Sequence, residues 1–242
     1  MSSGAPPPPA GATRTDRIRS SSDLGATLRS VLLTPERGYR GAMRTALRRE
    51  RAARKPIEGI APSVLAAIGG AGAMLLWLKV SAAFGVRKVS AAQFRWNYLV
   101  AAIVLGALLG LLSQRLWAAC GVVLSRALGA EAKAPDLRLA WGGSALPQAF
   151  ALVLLLPLDL SIAGGASFTD ARFADRVAAA WASLSLALAI ALALWSLYLF
   201  FRGTRVATGL GVTRALLVMV VAGVCVAAVC AVSVVIALQL AG

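Results

Sequence analysis

The chain has 242 residues, of which 59% are hydrophobic and 14% are charged, and its mean hydropathy is +0.76. A soluble domain normally carries about 25% charged residues, so this composition excludes an ordinary soluble protein. Lys and Arg number 25 against 10 Asp and Glu, a net charge of +15, and the chain has no His. The commonest catalytic base and the commonest metal ligand are therefore both missing. We expect a basic membrane protein that is not an enzyme and that holds no cofactor or metal.

Residues 1–22 contain four consecutive prolines followed by Gly, Ala, Ser, Thr and scattered Arg. Such a composition cannot bury apolar surface, so this segment is predicted to be a disordered tail. It also lacks the apolar core of a secretory signal peptide, and we do not expect it to be cleaved.

Residues 23–59 are predicted to form a basic amphipathic region on the cytoplasmic side. Thr34 and Pro35 are typical of a helix start, and Tyr39, Met43 and Leu47 then recur every four residues. Such a helix suits an anionic membrane surface, where its arginines would contact lipid headgroups. The alternative is that these arginines only hold this end in the cytoplasm. The arginines are Arg37, Arg40, Arg44, Arg48, Arg49, Arg51 and Arg54. Without interleaved aromatic residues, nucleic acid is not expected as a partner.

Residues 60–240 form a predicted transmembrane domain of five apolar segments. Each is longer than the roughly 20 residues that cross a bilayer as a helix, and none shows strand-like alternation. The predicted spans are 60–85, 98–124, 141–163, 178–201 and 212–240. The predicted fold class is therefore an all-α integral membrane protein, a bundle of five transmembrane helices with a basic amphipathic N-terminal helix.

The distribution of Lys and Arg predicts the orientation of this bundle. With a cytoplasmic N-terminus, the inner segments 1–59, 125–140 and 202–214 hold 18 basic residues. The outer segments 86–97 and 164–177 hold 5. Because cytoplasmic loops are enriched in Lys and Arg, we expect the N-terminus inside the cytoplasmic or plasma membrane and the C-terminus outside.

Two charged residues inside the apolar segments are candidates for a functional or structural role, because such charges are costly in lipid. Lys79 in the first span and Asp159 in the third fall at a similar depth, close to the outer interface. They could form an interhelical ion pair, extend separately to the outer surface, or serve transport together with Pro147 and Pro157, which could kink the third span.

Gly106 and Gly110 form a GxxxG pattern in the second span, which allows two helix backbones to approach closely. Packing within the chain is one interpretation, and a homo-oligomer is the other.

Several motifs resemble the Yip family of Rab-interacting membrane proteins, in its bacterial form, over about residues 31–240. They are LTPERGY at Leu33–Tyr39, RALG at Arg126–Gly129, SALP at Ser144–Pro147, LYLFFRG at Leu197–Gly203 and GLGVTRA at Gly209–Ala215. The resemblance implies a non-enzymatic membrane protein that organises membrane or recruits partners. The Tyr-Gly-Pro motif of eukaryotic members is missing before the first span, so the resemblance does not extend to a Rab-type GTPase partner.

Three functional hypotheses follow. The first is a membrane scaffold or adaptor whose basic inner face meets anionic lipid or a membrane-protein partner. The second is a small channel or permease that uses the proline-containing third span and Asp159. The third is an accessory subunit of a larger membrane complex.

Overall fold

The computed structural model describes residues 29–43, 60–85, 96–169, 173 and 175–241, and every regular element in these ranges is a helix. Side chains are described there except at residues 60, 61, 96 and 229–241. The predicted tail 1–22 and much of the basic region 23–59 lie outside the described residues.

The helices are numbered in chain order. Two helical segments, described over residues 29–33 (α1) and 35–43 (α2), precede the long helices α3 (Ile60–Ala83) and α4 (Trp96–Ala127). The third apolar segment comprises α5 (Ala134–Ser144), α6 (Leu146–Phe150), a π-helix (Ala151–Leu155) and α7 (Leu156–Ile162), followed by a 3-10 helix at Gly164–Phe168. The long helices α8 (Arg176–Thr208) and α9 (Val212–Ala241) complete the chain.

Among the described residues, four helical stretches are long and apolar enough to cross a membrane, which confirms the prediction of an all-helical chain with several helices of membrane-spanning length. They are Pro62–Ala83, Asn97–Ala127, Ala134–Ile162 and Arg176–Thr208. The fifth predicted span coincides with α9, whose described side chains form a shorter apolar stretch, Val212–Ala228. The fifth crossing therefore stays a prediction.

The third span is longer and less regular than its hydropathy indicates. It begins at Ala134 rather than 141, with Lys133 at the N-cap and a proline in the first turn. A π-helix lies between Pro147 and Pro157, where the Leu156 N–H donates to the Ala151 carbonyl. Pro157 has no N–H to offer the carbonyl four residues earlier, so the helix widens here instead of continuing regularly.

Glycines let α3 and α4 pack with their backbones in contact. A Cβ added to Gly106 would lie 2.7 Å from the Gly70 carbonyl oxygen, and one added to Gly110 would lie 2.9 Å from Gly70 Cα. Neither distance is compatible with a real side-chain carbon. The structure thus places both predicted packing glycines against α3 of the same chain.

Among the described residues, the two ends of the bundle differ in the number of basic side chains. At one end, called the basic end, α2, the end of α4, the start of α5, the end of α8 and the start of α9 come together. The described basic residues there are Arg37, Arg40, Arg126, Lys133, Arg138, Arg202, Arg205 and Arg214. At the other end, the end of α3 and the start of α8 carry Lys79 and Arg176.

Replacing Gly110 with Ala should lower the free energy of unfolding in detergent by about 1–3 kcal/mol, because the added carbon forces α3 and α4 apart. The matched control is Gly223→Ala in α9, where an added Cβ meets nothing within 4 Å. Thermal unfolding of both variants checks this prediction. An equal stability of the two would contradict the close contact between α3 and α4.

Candidate functional site

Lys79 and Asp159 meet in the interior of the bundle. Lys79 lies on α3 and Asp159 on α7, and the Lys79 ammonium forms an ion pair with Asp159 Oδ2. The two residues are 7% and 1% exposed, so neither side chain extends separately to the surface. Of the arrangements that the sequence left open, the structure contains the interhelical pair.

Two residues of α8 complete the surroundings of this pair. Lys79 Nζ donates to Ser185 Oγ at 2.6 Å, and Ser185 Oγ donates to Asp159 Oδ1 at 2.5 Å. Trp181 Nε1 donates to the same Asp159 oxygen at 3.1 Å. Trp181 and Ser185 are four residues apart and therefore share one helix face. The four residues form what we call the charged cluster, which joins α3, α7 and α8.

Sequence reasoning missed Ser185 and Trp181. Neither carries a charge, and Ser and Trp are unremarkable in an apolar helix rich in small residues. Their four-residue spacing indicates that the two side chains share one face of a helix. It does not indicate which other helix that face contacts.

The opposite charges of Lys79 and Asp159 compensate each other in the charged cluster, and removing only one of them costs free energy of folding. A buried charge without its partner loses several kcal/mol of solvation, whereas a pair with extra hydrogen bonds recovers much of that loss. In a membrane the penalty for an unpaired charge is at least as large. Lys79 and Asp159 therefore stabilise the arrangement of the three helices only when both are present.

A cleft of about 350 Å³ lies beside the charged cluster, between α3, the 3-10 helix and α8. Its polar lining residues are Lys79, Ser167, Thr169 and Ser183, and its walls include Phe173 and Leu186. Asp159 is not one of its lining residues, and Lys79 is the charged residue among the described ones that line it.

At the basic end, Tyr39 docks α2 onto the bundle. Its side chain is 1% exposed, and its hydroxyl donates to the Ala140 carbonyl oxygen on α5 at 3.2 Å. The ring occupies space left by Gly143 on α5 and Gly203 on α8, where an added Cβ would lie 2.8 Å from Tyr39 atoms. Burial raises the pKa of the Tyr39 phenol above its ordinary value, because the charged form would lose its hydration.

The contact between α2 and α8 also includes charged side chains. Glu36 Oε1 lies 3.3 Å from Arg202 Nη2 and 3.4 Å from Arg205 Nη1. All three side chains are about a third exposed, so these ion pairs contribute little compared with the buried Tyr39 ring.

Of the predicted lipid-contacting arginines, Arg37 and Arg40 are exposed on α2. Residues Arg44, Arg48, Arg49, Arg51 and Arg54 lie outside the described residues. Thr34 lies directly before α2, at the predicted helix start, and its hydroxyl donates back to the Ser30 carbonyl at 3.2 Å.

No group of three or more Cys, Asp or Glu residues that could hold a metal occurs among the described residues. In comparisons with known proteins, no family model, no curated protein and no solved structure matches the chain.

Reversing one charge of the cluster, by Lys79→Glu or Asp159→Lys, should destabilise the protein by about 3–5 kcal/mol, because it leaves like charges buried together. The double reversal restores opposite charges and should recover part of that loss. Chemical unfolding in detergent of the four proteins of this cycle gives the coupling energy. Additive losses in the double variant would refute a stabilising pair.

The Tyr39 phenol should titrate above pH 10, the ordinary tyrosine value, and docking of α2 should weaken as the pH rises through that range. Docking weakens at high pH because the pKa of the phenol is higher in the folded state than in the unfolded state. The stability that the neutral phenol contributes is therefore complete at lower pH and is lost when the phenol is deprotonated. Subtracting the tyrosinate absorbance of Tyr39→Phe from that of the wild type isolates this residue among the three tyrosines. A midpoint at the ordinary value would show that the ring is exposed.

Proposed function

We propose that this protein is a non-enzymatic multi-pass membrane scaffold or adaptor of the Yip type. In this proposal, the basic end of the bundle meets anionic lipid headgroups and a membrane-protein partner. The chain lies in the cytoplasmic or plasma membrane with its N-terminus in the cytoplasm, and the five spans place its C-terminus outside.

The observation that carries the proposal is the docking of α2 by Tyr39. An adaptor surface needs a fixed position, and the buried ring holds α2 against α5 and α8. This docking leaves Arg37 and Arg40 exposed on α2, whose Glu36 pairs with Arg202 and Arg205 of α8. Basic side chains grouped in this way attract anionic surfaces before any specific contact forms.

Residues of two motifs that resemble the Yip family take part in the contact that docks α2 onto the bundle. Tyr39 and Glu36 belong to the LTPERGY motif, whereas Gly203 and Arg202 belong to the LYLFFRG motif. Two motifs that lie far apart in the sequence therefore meet at the docking contact. This meeting supports a common structural role for them.

The orientation is supported by the charge difference between the two ends. Basic residues gather where α4, α5, α8 and α9 begin or end at the basic end, and cytoplasmic ends of membrane proteins are enriched in this way. The cytoplasmic leaflet is also the anionic one, with about 1 kcal/mol of attraction for each nearby basic residue.

The adaptor proposal predicts a partner that depends on the α2 surface. Wild-type protein extracted from its native membrane in mild detergent should carry a stoichiometric membrane-protein partner. The variant Arg37→Glu/Arg40→Glu should lose it, because both side chains are exposed and their reversal repels an acidic partner surface. Quantitative affinity purification measures the ratio of partner to protein.

The matched control for this experiment is Arg176→Glu, an exposed arginine at the opposite end of the bundle. It should keep the partner at the wild-type ratio. A protein that purifies alone, or equal losses in both variants, would count against an adaptor surface on α2.

A second candidate, a small channel or permease, is favoured by the charged cluster beside the cleft and the π-helix. It predicts that ions cross proteoliposome membranes in the presence of wild-type protein and that Asp159→Asn abolishes this movement. An entrapped pH dye and a panel of small ions provide the readout. Glu131→Gln, at an exposed position in the loop between α4 and α5, is the control. Equal rates with and without protein would exclude transport of the ions tested.

A further inference from the structure

The cleft beside the charged cluster contains hydrogen-bonding groups that the protein itself does not use. The Lys79 ammonium has three N–H donors, and two of them are directed at Asp159 and Ser185. The ammonium also lies 6.0 Å from the centroid of the Phe168 ring, and its third donor is unassigned among the described residues. One donor of Lys79 is therefore available to a ligand in the cleft.

Ser167 provides a second such group. It is 8% exposed, and its buried hydroxyl has no hydrogen-bond partner among the described residues. Because buried hydroxyls are nearly always bonded, this hydroxyl is suited to donate to a ligand in the cleft. Lys79 and Ser167 line the same cleft.

The side chains that line the cleft indicate which class of ligand it can bind. Among the described residues, the lining includes the Lys79 ammonium and the hydroxyls of Ser167, Thr169 and Ser183, the last of which donates to the Ala179 carbonyl, and no Asp or Glu. A ligand with several acceptor oxygens matches such donors. The volume of about 350 Å³ lies within the range of roughly 300–1,000 Å³ that small-ligand sites occupy.

We propose that this cleft binds a phosphate group, with Lys79 and Ser167 donating hydrogen bonds to its oxygens. Lysine binds phosphate as a compact point charge, and bonds to a charged acceptor are stronger than neutral ones. The site is independent of the adaptor surface, since it lies at the opposite end of the bundle.

The depth of the cleft indicates which phosphate it receives. Lys79 lies four residues before the end of α3, or about 6 Å along the helix axis, and Ser183 lies seven residues, about 10 Å, inside α8. These depths correspond to the headgroup region of a bilayer. The alanine and leucine side chains of the wall suit the glycerol and upper acyl chain, so a phospholipid headgroup is the expected source.

Native mass spectrometry of the purified full chain, titrated with a phospholipid, tests the proposal. Wild-type protein should retain one phospholipid more tightly than any others, and Ser167→Ala should weaken that binding about tenfold by removing one bond to a charged group. Ala182→Leu should reduce it further by filling the cleft. The control is Ser161→Ala, an exposed serine whose hydroxyl donates to the Pro157 carbonyl and does not line the cleft.

Two further arms distinguish the source of the phosphate. Diacylglycerol has the same acyl chains without phosphate and should not compete for the site. Inorganic phosphate alone should produce little thermal stabilisation, whereas a stabilisation that Ser167→Ala abolishes would assign the site to a free anion. Lipid retention that is equal in wild type, Ser167→Ala and Ala182→Leu, or effective competition by diacylglycerol, would overturn the proposal. Because all substitutions leave Lys79 and Asp159 intact, loss of binding is separable from loss of folding.

Discussion

The pairing of Lys79 with Asp159 is the interaction on which the interior of this bundle depends. Neither charge can remain in an apolar interior alone, so the two residues restrict how α3 and α7 are placed relative to each other. Ser185 and Trp181 extend this restriction to α8, because both bond to the same carboxylate oxygen. An apolar contact could slide by a residue at small cost, but this charge-assisted cluster cannot.

Close backbone contact provides the second constraint. In a membrane, helices gain little from hiding apolar side chains, since lipid is equally apolar, and they associate through packing and hydrogen bonds. Gly70, Gly106 and Gly110 bring α3 and α4 together, while Gly142 allows α5 to approach the Pro62 carbonyl. Gln114 adds a polar link here by donating to the Pro62 and Arg138 carbonyls at 3.0 and 3.1 Å.

Small residues and a few bonded polar groups are found at both ends of the bundle, where they have different structural consequences. At the basic end, glycines make room for the Tyr39 ring, which positions α2 and its exposed arginines. At the opposite end, the charged cluster fills the space between helices and leaves a polar cleft beside it.

Composition and hydropathy were sufficient to predict a helical membrane protein, because a span of lipid demands about 20 apolar residues regardless of what packs against it. The ends of the third span were predicted less well. Pro135 and Pro157 shape the helix because proline has no N–H to donate to a backbone hydrogen bond, and hydropathy does not record this effect. The sequence also predicted Lys79 and Asp159 as a possible pair. The two residues lie at similar distances along their spans from the inner end, which places them at the same depth.

Local composition was enough to predict the fold class, the uneven distribution of basic residues and two charges inside apolar segments. Only the packing of the helices brings these charges together and lets Ser185 and Trp181 bond to Asp159. It also decided that Tyr39 inserts between Gly143 and Gly203 and that a cleft opens beside Lys79. Each of these depends on which helix faces which, and the nearly uniform Ala, Leu and Val surfaces of the spans do not encode that in their periodicity. Which helix faces which depends on the positions where glycines permit two helices to approach closely. It also depends on the buried polar groups, which need hydrogen-bond partners within the protein.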